Sequence, residues 1–261
     1  TYYTHPQAFT FGSRMIKKFI APMSIKRAER IITDSENTKK DIIGFFPKAK
    51  DKIRVIYPGS PDFKRIEDQK HIEAVKANHK IAGKYILYMG TLEPRKNLIR
   101  LIEAYHKLVN EEKIEQKLVL AGKKGWLYND IFSKIVELHL EEQVIFTDYI
   151  SEEDKSALYS GAEVFAYPSL YEGFGLPPLE AMACGTAVVT SNISSLPEVV
   201  GNAGIYINPY DVENIAQGIY SLLINQELRR DLENKGIEQA KSFSWNRTVK
   251  QIIDVYKEIL E

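Results

Sequence analysis

Short runs of β-branched and aromatic residues alternate with segments of helical period from residue 84 onward. Six runs predict buried strands, at 85–89, 118–121, 144–146, 164–167, 187–190 and 205–207. Between the first two runs, apolar residues such as Leu98, Leu101, Ile102 and Tyr105 recur every three or four positions and line one helix face. Strands that alternate with helices in this way are typical of a parallel sheet covered by helices. The pattern therefore predicts an α/β fold with a doubly wound parallel sheet.

The regions that flank this sheet predict two further parts of the chain. Upstream, helices at 14–30 and 37–45 alternate with strands at 31–34 and 53–57, which is too little for a second complete α/β domain. Downstream, helical segments follow the last strand. We therefore predict three parts: 1–60, the end of an amino-terminal domain with its linker; 61–242, the main α/β domain; and 243–261, a helix that crosses back to the amino-terminal part.

Composition narrows the class of protein. Of the 261 residues, 44% are hydrophobic and 27% are charged, which is ordinary for a globular protein. The single cysteine, Cys184, excludes a disulfide scaffold, and no apolar run approaches the ~18 residues of a membrane span. The single cysteine makes a reducing compartment the default, so we expect a cytoplasmic location. Because Thr1 is not a methionine, we also expect further sequence upstream.

Charge is distributed unevenly along the chain. Residues 1–60 carry twelve basic and five acidic side chains, whereas the remaining 201 carry 23 basic and 30 acidic ones. Segment 14–30 combines six of the basic residues with apolar positions at helical spacing. This pattern suits peripheral contact with anionic lipid on the inner face of a membrane, or an apolar face packed inside an amino-terminal domain. We expect no nucleic-acid partner, because no recognition motif accompanies the basic region.

A glycine-containing loop at 171–175 follows the fourth predicted strand. In open parallel sheets, ligands bind at the carboxyl ends of strands. Gly173 and Gly175 allow close approach of the backbone to a ligand, and the helix that follows offers free amide groups to an anion such as phosphate. Glu172 precedes this loop, and we expect Glu180 in the first turn of the helix, so both carboxylates border the anion site. By itself, Glu180 also fits a structural role at a helix start.

A second loop, Gly90-Thr91-Leu92-Glu93-Pro94-Arg95-Lys96-Asn97, follows the first predicted strand. Arg95 and Lys96 lie at the carboxyl end of that strand and could reach the same anion through charge-assisted hydrogen bonds. The alternative is a solvated basic pair at a loop tip. Trp126, in a third loop, either stacks on a base or anchors the loop.

Taken together, these motifs resemble the retaining glycosyltransferases of the GT-B fold, in particular family 4, which includes mannosyl- and glucosyltransferases. Glu172 and Glu180 match the family's E-x7-E signature, and loop 90–97 matches its donor-phosphate loop. Further likeness lies in Arg30-Ile31-Ile32-Thr33-Asp34-Ser35 with Thr38, and in Ser195-Leu196-Pro197-Glu198-Val199. The resemblance covers nearly the whole chain and identifies 61–242 as a Rossmann-like domain that binds a nucleotide-sugar donor.

The resemblance implies a role for each site residue. The catalytic residues would be Glu172, Arg95 and Lys96. Arg95 and Lys96 would bind the donor diphosphate and neutralise its charge as the sugar bond breaks, and Glu172 would hold the sugar. Glu180 would hold the ribose. The remaining donor-binding residues would be Gly90, Thr91, Tyr149, Ile150, Gly173, Phe174, Gly175 and Leu176, with 147–150 against the base. Family members often carry arginine at the position of Thr91, so the phosphate charge here would rest on Arg95 and Lys96.

The implied reaction moves a hexose, with GDP-mannose the favoured donor, to a hydroxyl of a glycan or lipid-linked acceptor. We expect no cofactor and no metal, because no two aspartates form the Asp-x-Asp pair that holds a cation in other transferases. Two alternatives to a complete enzyme stay open: a non-catalytic nucleotide-sugar binding module, or a donor-binding half that needs a separate amino-terminal domain for turnover. None of the histidines falls in a family motif.

Overall fold

A computed structural model describes residues 11–60, 62–125 and 128–261, with the backbone alone for residues 11–17. The amino-terminal part contains α1 (Phe11–Arg27), β1 (Ile31–Thr33), α2 (Glu36–Phe45), a 3-10 helix (Pro47–Lys52) and β2 (Ile53–Val55). β1 and β2 pair in parallel as a two-stranded sheet. Both strands are shorter than predicted, because their pairing ends at Thr33 and Val55 and leaves Asp34, Ile56 and Tyr57 outside the sheet.

The main sheet has six parallel strands. They are β3 (Tyr85–Met89), β4 (Lys117–Ala121), β5 (Val144–Phe146), β6 (Val164–Tyr167), β7 (Val188–Ser191) and β8 (Gly204–Ile207). All residues of β3, β6 and β7 are buried, as expected for strands covered on both faces. Each predicted strand is present with at most one residue of difference at an end, and the predicted α/β class is confirmed.

Helices connect these strands and follow the last one. They are α3 (Gln69–Asn78), α4 (Leu98–Asn110), α5 (Asn129–Glu137), α6 (Glu152–Ser160), α7 (Leu176–Ala183), α8 (Leu196–Val200), α9 (Val212–Ile224), α10 (Gln226–Lys241) and α11 (Trp245–Leu260). One group contains α4, which contacts α5 and α9; the other contains α7, which contacts α6, α8 and α10. The first strand of the main sheet is preceded by α3, which the periodicity analysis did not predict.

The order of strands determines where a ligand can enter. The sheet runs β5-β4-β3-β6-β7-β8, so the chain builds outward in one direction from β3 and in the opposite direction from β6. The two strands are neighbours, and the chain continues from them toward opposite edges of the sheet. This is the topological switch point at which open α/β sheets form a binding crevice.

The carboxy-terminal helix contacts the amino-terminal part. Thr248 of α11 donates a hydrogen bond to the carbonyl of Tyr57 at 2.7 Å. Near the end of α11, Glu258 pairs with Arg30 at 3.0 Å and with Arg54 at 2.9 Å. Within the described ranges, no helix has the length and hydrophobicity of a membrane-crossing segment.

The basic amphipathic helix α1 ends at Arg27, three residues before the predicted end. Phe19, Ile20 and Met23 are between 54% and 68% exposed, so the described part of the chain leaves this apolar face uncovered. The predicted apolar positions Met15 and Ile16 lie among the residues whose side chains are not described.

Candidate functional site

Two loops meet at the switch point, one after β3 and one after β6. The carbonyl of Arg95 in the first loop accepts hydrogen bonds from the amide of Leu170 at 2.9 Å and from the hydroxyl of Ser169 at 3.2 Å in the second. Nη1 of Arg95 also donates a hydrogen bond to the carbonyl of Tyr171, so the predicted phosphate loop 90–97 and the predicted glycine loop 171–175 are joined directly. The structure brings Arg95, Lys96 and Glu172 together, as their placement at the ends of adjacent strands predicts.

The first loop is tightly folded by its own residues. Gly90 has a φ of +152°, and a Cβ there would lie 2.9 Å from the hydroxyl of Tyr88, so the position favours glycine. Pro94–Lys96 forms a single 3-10 turn, and Asn97 follows in the left-handed region at φ +61°. The Asn97 side-chain amide donates to the carbonyls of Pro168 at 3.1 Å and Pro209 at 2.7 Å. These bonds fix the turn that carries the two cations.

A buried cluster of charges occupies the junction of the loops. Oε1 of Glu172 lies 2.6 Å from Nζ of Lys96, and Oε2 lies 2.9 Å from Nη1 of Arg95. The other Nη of Arg95 pairs with Glu93 at 2.5 Å. Glu172 and Lys96 are only 8% and 7% exposed. The solvated basic pair considered from sequence is thus excluded for Lys96, because its charge is enclosed by protein.

Neutral groups complete the cluster. Glu172 accepts hydrogen bonds from the hydroxyls of Ser169 at 2.6 Å and Tyr167 at 2.9 Å, and Lys96 donates to the same tyrosine oxygen at 2.6 Å. Sequence reasoning did not assign Glu93, Tyr167 or Ser169 to the site. Tyr167 is the last residue of β6, so its position at the carboxyl end of a strand was an available signal.

The cluster shifts the ionisation of its members in ways that follow from burial and charge. Burial alone would raise the pKa of Glu172, but Lys96 and Arg95 more than offset it, so the pKa lies below its usual value. Burial lowers the pKa of Lys96, with Glu172 acting in the opposite direction. The pKa of Arg95 is raised, because the attraction of Glu172 and Glu93 exceeds the effect of burial. The two acidic and two basic groups therefore form a balanced set.

The second loop presents backbone amides. Gly175 has a φ of +126° and precedes α7, which starts with Leu176 and two prolines. Within the described ranges, the amides of Gly173, Phe174, Gly175 and Leu176 have no hydrogen-bond acceptor in the chain. Free amides at a helix start attract anions, so the arrangement can bind a phosphate group.

Glu180 lies just beyond the first turn of α7, the turn in which the sequence had placed it. Because α7 begins at Leu176, Glu180 is the fifth residue of the helix rather than part of its first turn, and the helix dipole is weak there. Burial raises the pKa of Glu180, although the hydroxyl of Tyr159 donates a hydrogen bond to it at 2.7 Å. The structure thus gives Glu180 a hydrogen-bond partner in α6.

The loop after β5 carries the two residues predicted to contact a base. Tyr149 is 57% exposed, and Nζ of Lys123 lies 4.6 Å from the centre of its ring. Ile150, by contrast, is buried in the core. Thr91 is exposed at the edge of the first loop. Trp126 lies outside the described residues. Among the residues whose side chains are described, no group of three or more His, Cys, Asp or Glu side chains is arranged to hold a metal ion.

Comparison with known proteins gives a consistent match. The family model described as glycosyl transferases group 1 matches residues 68–239. O-antigen chain mannosyltransferase B of Escherichia coli is 39% identical over 236 residues, which cover 90% of this chain and 62% of that protein. Serotype-specific mannosyltransferase WbdA of the same species is 34% identical over 243 residues, 90% of this chain and 29% of that protein. The chain thus spans less than two thirds of these relatives.

Solved structures share the fold. A glycosyltransferase from Rickettsia africae superimposes with a TM-score of 0.81 at 21% identity, over 95% of this chain and 67% of that one. Anabaena HepE, in complex with UDP and glucose, gives a TM-score of 0.81 at 20% identity, over 97% of this chain and 68% of that one. At these identities the likeness concerns the fold alone.

Proposed function

Because this chain belongs to the glycosyl transferases group 1 family, we propose that it binds a nucleoside diphosphate sugar and transfers the hexose to an acceptor hydroxyl. The observation that carries the proposal is the junction of the buried Arg95–Lys96–Glu172 cluster with a loop of free amides at the switch point of the sheet. Two cations and a set of unbonded N–H groups suit a diphosphate, and the adjacent carboxylate suits sugar hydroxyls.

Each site residue has a proposed role in binding the donor or stabilising the leaving group. Arg95 and Lys96 neutralise the charge that develops on the leaving diphosphate, an electrostatic role that takes the place of a metal ion. The amides of loop 173–176 bind a phosphate or sugar hydroxyl, and Glu172 orients the sugar. Glu180 holds the ribose and Tyr149 lies against the base. Arg95 already pairs with Glu93 and Glu172, so phosphate would compete with these carboxylates for the guanidinium.

We also propose the sugar, the donor, the stereochemistry, the acceptor and the location of the reaction. Relatives that are named mannosyltransferases support mannose as the sugar, with GDP-mannose as donor. The match of Glu172 and Glu180 to the E-x7-E signature supports retention at the anomeric carbon. We propose a glycan or lipid-linked acceptor, bound with the help of a further amino-terminal domain. The proposed location is the cytoplasm or the inner face of the membrane, where the exposed face of α1 would meet lipid.

Replacement of the cations tests the donor site. The Arg95→Ala variant keeps the Lys96–Glu172 pair, so the fold should persist while affinity for the bound nucleoside diphosphate falls about 10- to 100-fold, as expected for a lost charge-assisted hydrogen bond. Isothermal titration with GDP, UDP and ADP measures this. Lys107→Ala, which removes a cation of α4 remote from the loops, is the matched control. Unchanged affinity in Arg95→Ala would refute the assignment.

The stereochemistry needs a separate experiment. Incubation with GDP-mannose and a mannoside acceptor, followed by NMR of the product, reports the anomeric configuration. An α-linked product from this α-configured donor is expected, and a β-linked product would refute retention.

A further inference from the structure

Two motifs that the proposed function leaves unused meet on either side of the loop 172–175. One motif contains Ser35 and Thr38 at the start of α2, and the other contains Ser195 and Glu198 around α8. They are 160 residues apart in sequence, and each directs hydroxyl groups at the backbone of the same loop.

The α8 side holds two carbonyls of the loop. The carbonyl of Glu172 accepts hydrogen bonds from the hydroxyls of Ser194 at 2.6 Å and Ser195 at 3.0 Å. The carbonyl of Phe174 accepts another from Ser195 at 2.6 Å. Ser195 is fully buried, so this hydroxyl has no competing water contact.

The α2 side holds the carbonyl between them. Ser35 and Thr38 donate to the carbonyl of Gly173 at 2.6 and 3.2 Å. The approach is close: a Cβ on Gly173 would lie 2.9 Å from a carboxylate oxygen of Asp34. Three successive carbonyls are therefore fixed by side-chain hydroxyls. Because a trans peptide points its N–H opposite to its C=O, these bonds also fix the directions of the Gly173, Phe174 and Gly175 amides.

Glu198 in turn holds α2 in place. Its two carboxylate oxygens accept hydrogen bonds from the backbone amides of Glu36 and Asn37, both at 2.7 Å, and one also accepts from the hydroxyl of Tyr57 at 3.1 Å. These amides belong to the first turn of α2, where a negative charge is stabilising. Burial and Glu198 together raise the pKa of Tyr57 to about 12, so the tyrosine stays a donor.

We propose that Ser35, Thr38 and Glu198 are positioning residues for donor binding: they aim the loop amides at the donor diphosphate without touching it. This inference rests on the proposed function. It makes the β1–α2 segment of the amino-terminal part a component of the donor site, and it gives the two unused motifs one shared task.

The test compares ligands that differ by one phosphate. The Ser35→Ala/Thr38→Val variant removes both hydroxyls from Gly173, and affinity for the nucleoside diphosphate should fall on the order of 10-fold. Affinity for the corresponding nucleoside monophosphate should change less, because fewer phosphate oxygens depend on the loop. Thr38→Ser, which keeps its hydroxyl, should bind as the unsubstituted chain does.

A matched control separates this effect from loss of a helix cap. Asn225 caps α10 as Ser35 caps α2, with its side chain accepting from the amide of Leu228 at 3.0 Å. Asn225→Ala should lower the melting temperature without changing either affinity. The isosteric Glu198→Gln variant, which replaces one acceptor with a donor, should weaken diphosphate binding and serves if the double variant does not fold.

The outcomes distinguish the two proposals. A selective loss of diphosphate affinity in both variants supports the positioning role. If the unsubstituted chain binds nucleotide but the variants lose affinity equally for monophosphate and diphosphate, or lose none, the positioning role is refuted. If the unsubstituted chain binds none of GDP, UDP or ADP, the proposed function itself fails.

Discussion

Replacement of Glu172 by glutamine should destabilise the chain strongly, and more near neutral pH than at high pH. The substitution leaves Lys96 buried beside the neutral hydroxyl of Tyr167, whereas Arg95 retains Glu93. Since Lys96 and Glu172 are 7% and 8% exposed, the expected cost is that of breaking a buried ion pair, about 3–5 kcal/mol in the free energy of unfolding. Urea unfolding followed by circular dichroism near pH 7 measures it.

The pH dependence follows from the position of Lys96. Burial already holds the pKa of Lys96 below its usual value, and loss of Glu172 should lower it further. Between that folded pKa and the unfolded value of about 10.4, the unfolded state binds more protons, so the stability of the variant rises with pH. The deficit relative to the unsubstituted chain should therefore shrink as the pH approaches 10.

An exposed ion pair of α10 provides the control. Glu238→Gln removes a carboxylate from an exposed pair with Lys241 and should leave the free energy of unfolding unchanged. If Glu172→Gln costs no more than this control, or if its deficit is the same near pH 7 and pH 10, the cluster does not depend on a buried counter-charge.

Three further outcomes are expected. Glu93→Gln should tighten nucleoside diphosphate binding several-fold, because Glu93 competes with phosphate for Arg95, and weaker binding in titration would show that Glu93 instead orients the guanidinium. Nucleotide affinity should be the same with and without EDTA, and a loss that magnesium or manganese restores would contradict the role given to the two cations. The chain should sediment with phosphatidylglycerol vesicles at low salt but not with neutral ones, because Phe19, Ile20 and Met23 are exposed beside basic residues. If the chain stays in the supernatant with both kinds of vesicle, this apolar face packs against protein instead.

The sequence predicts the main sheet well because its strands are nearly continuous apolar runs. β3 and β6 are buried along their whole length, so their hydrophobicity alone delimits them to the residue. The hydrophobic pattern does not predict α3, because Ile72 and Val75 are its only buried apolar residues and two positions are too few to define a helical period. Glu180 falls outside the first turn of α7 because the helix already begins at Leu176, immediately before its two prolines.

The sequence predicts which residues gather at the candidate site, but not which of them form ion pairs. Placement at the ends of strands brings Arg95, Lys96 and Glu172 to one edge of the sheet. That Glu172 already pairs with both cations depends on side-chain directions and burial, which a separation of 76 or more residues does not encode. The hydroxyl bonds from Ser35 to Gly173 likewise join residues 138 apart, and only the packed structure shows them.

Hydrogen exchange with and without nucleotide tests the central claim most directly, because the claim specifies which amides a donor should cover. The amides of residues 173–176 have no acceptor within the described part of the chain, so they should exchange rapidly in the free protein. On saturation with whichever of GDP, UDP and ADP binds, exchange should slow in 173–176 and in 90–97, while α10 stays unchanged. Slowing confined to other regions, or no slowing in these two loops with a nucleotide bound, would contradict a donor site at the junction of β3 and β6.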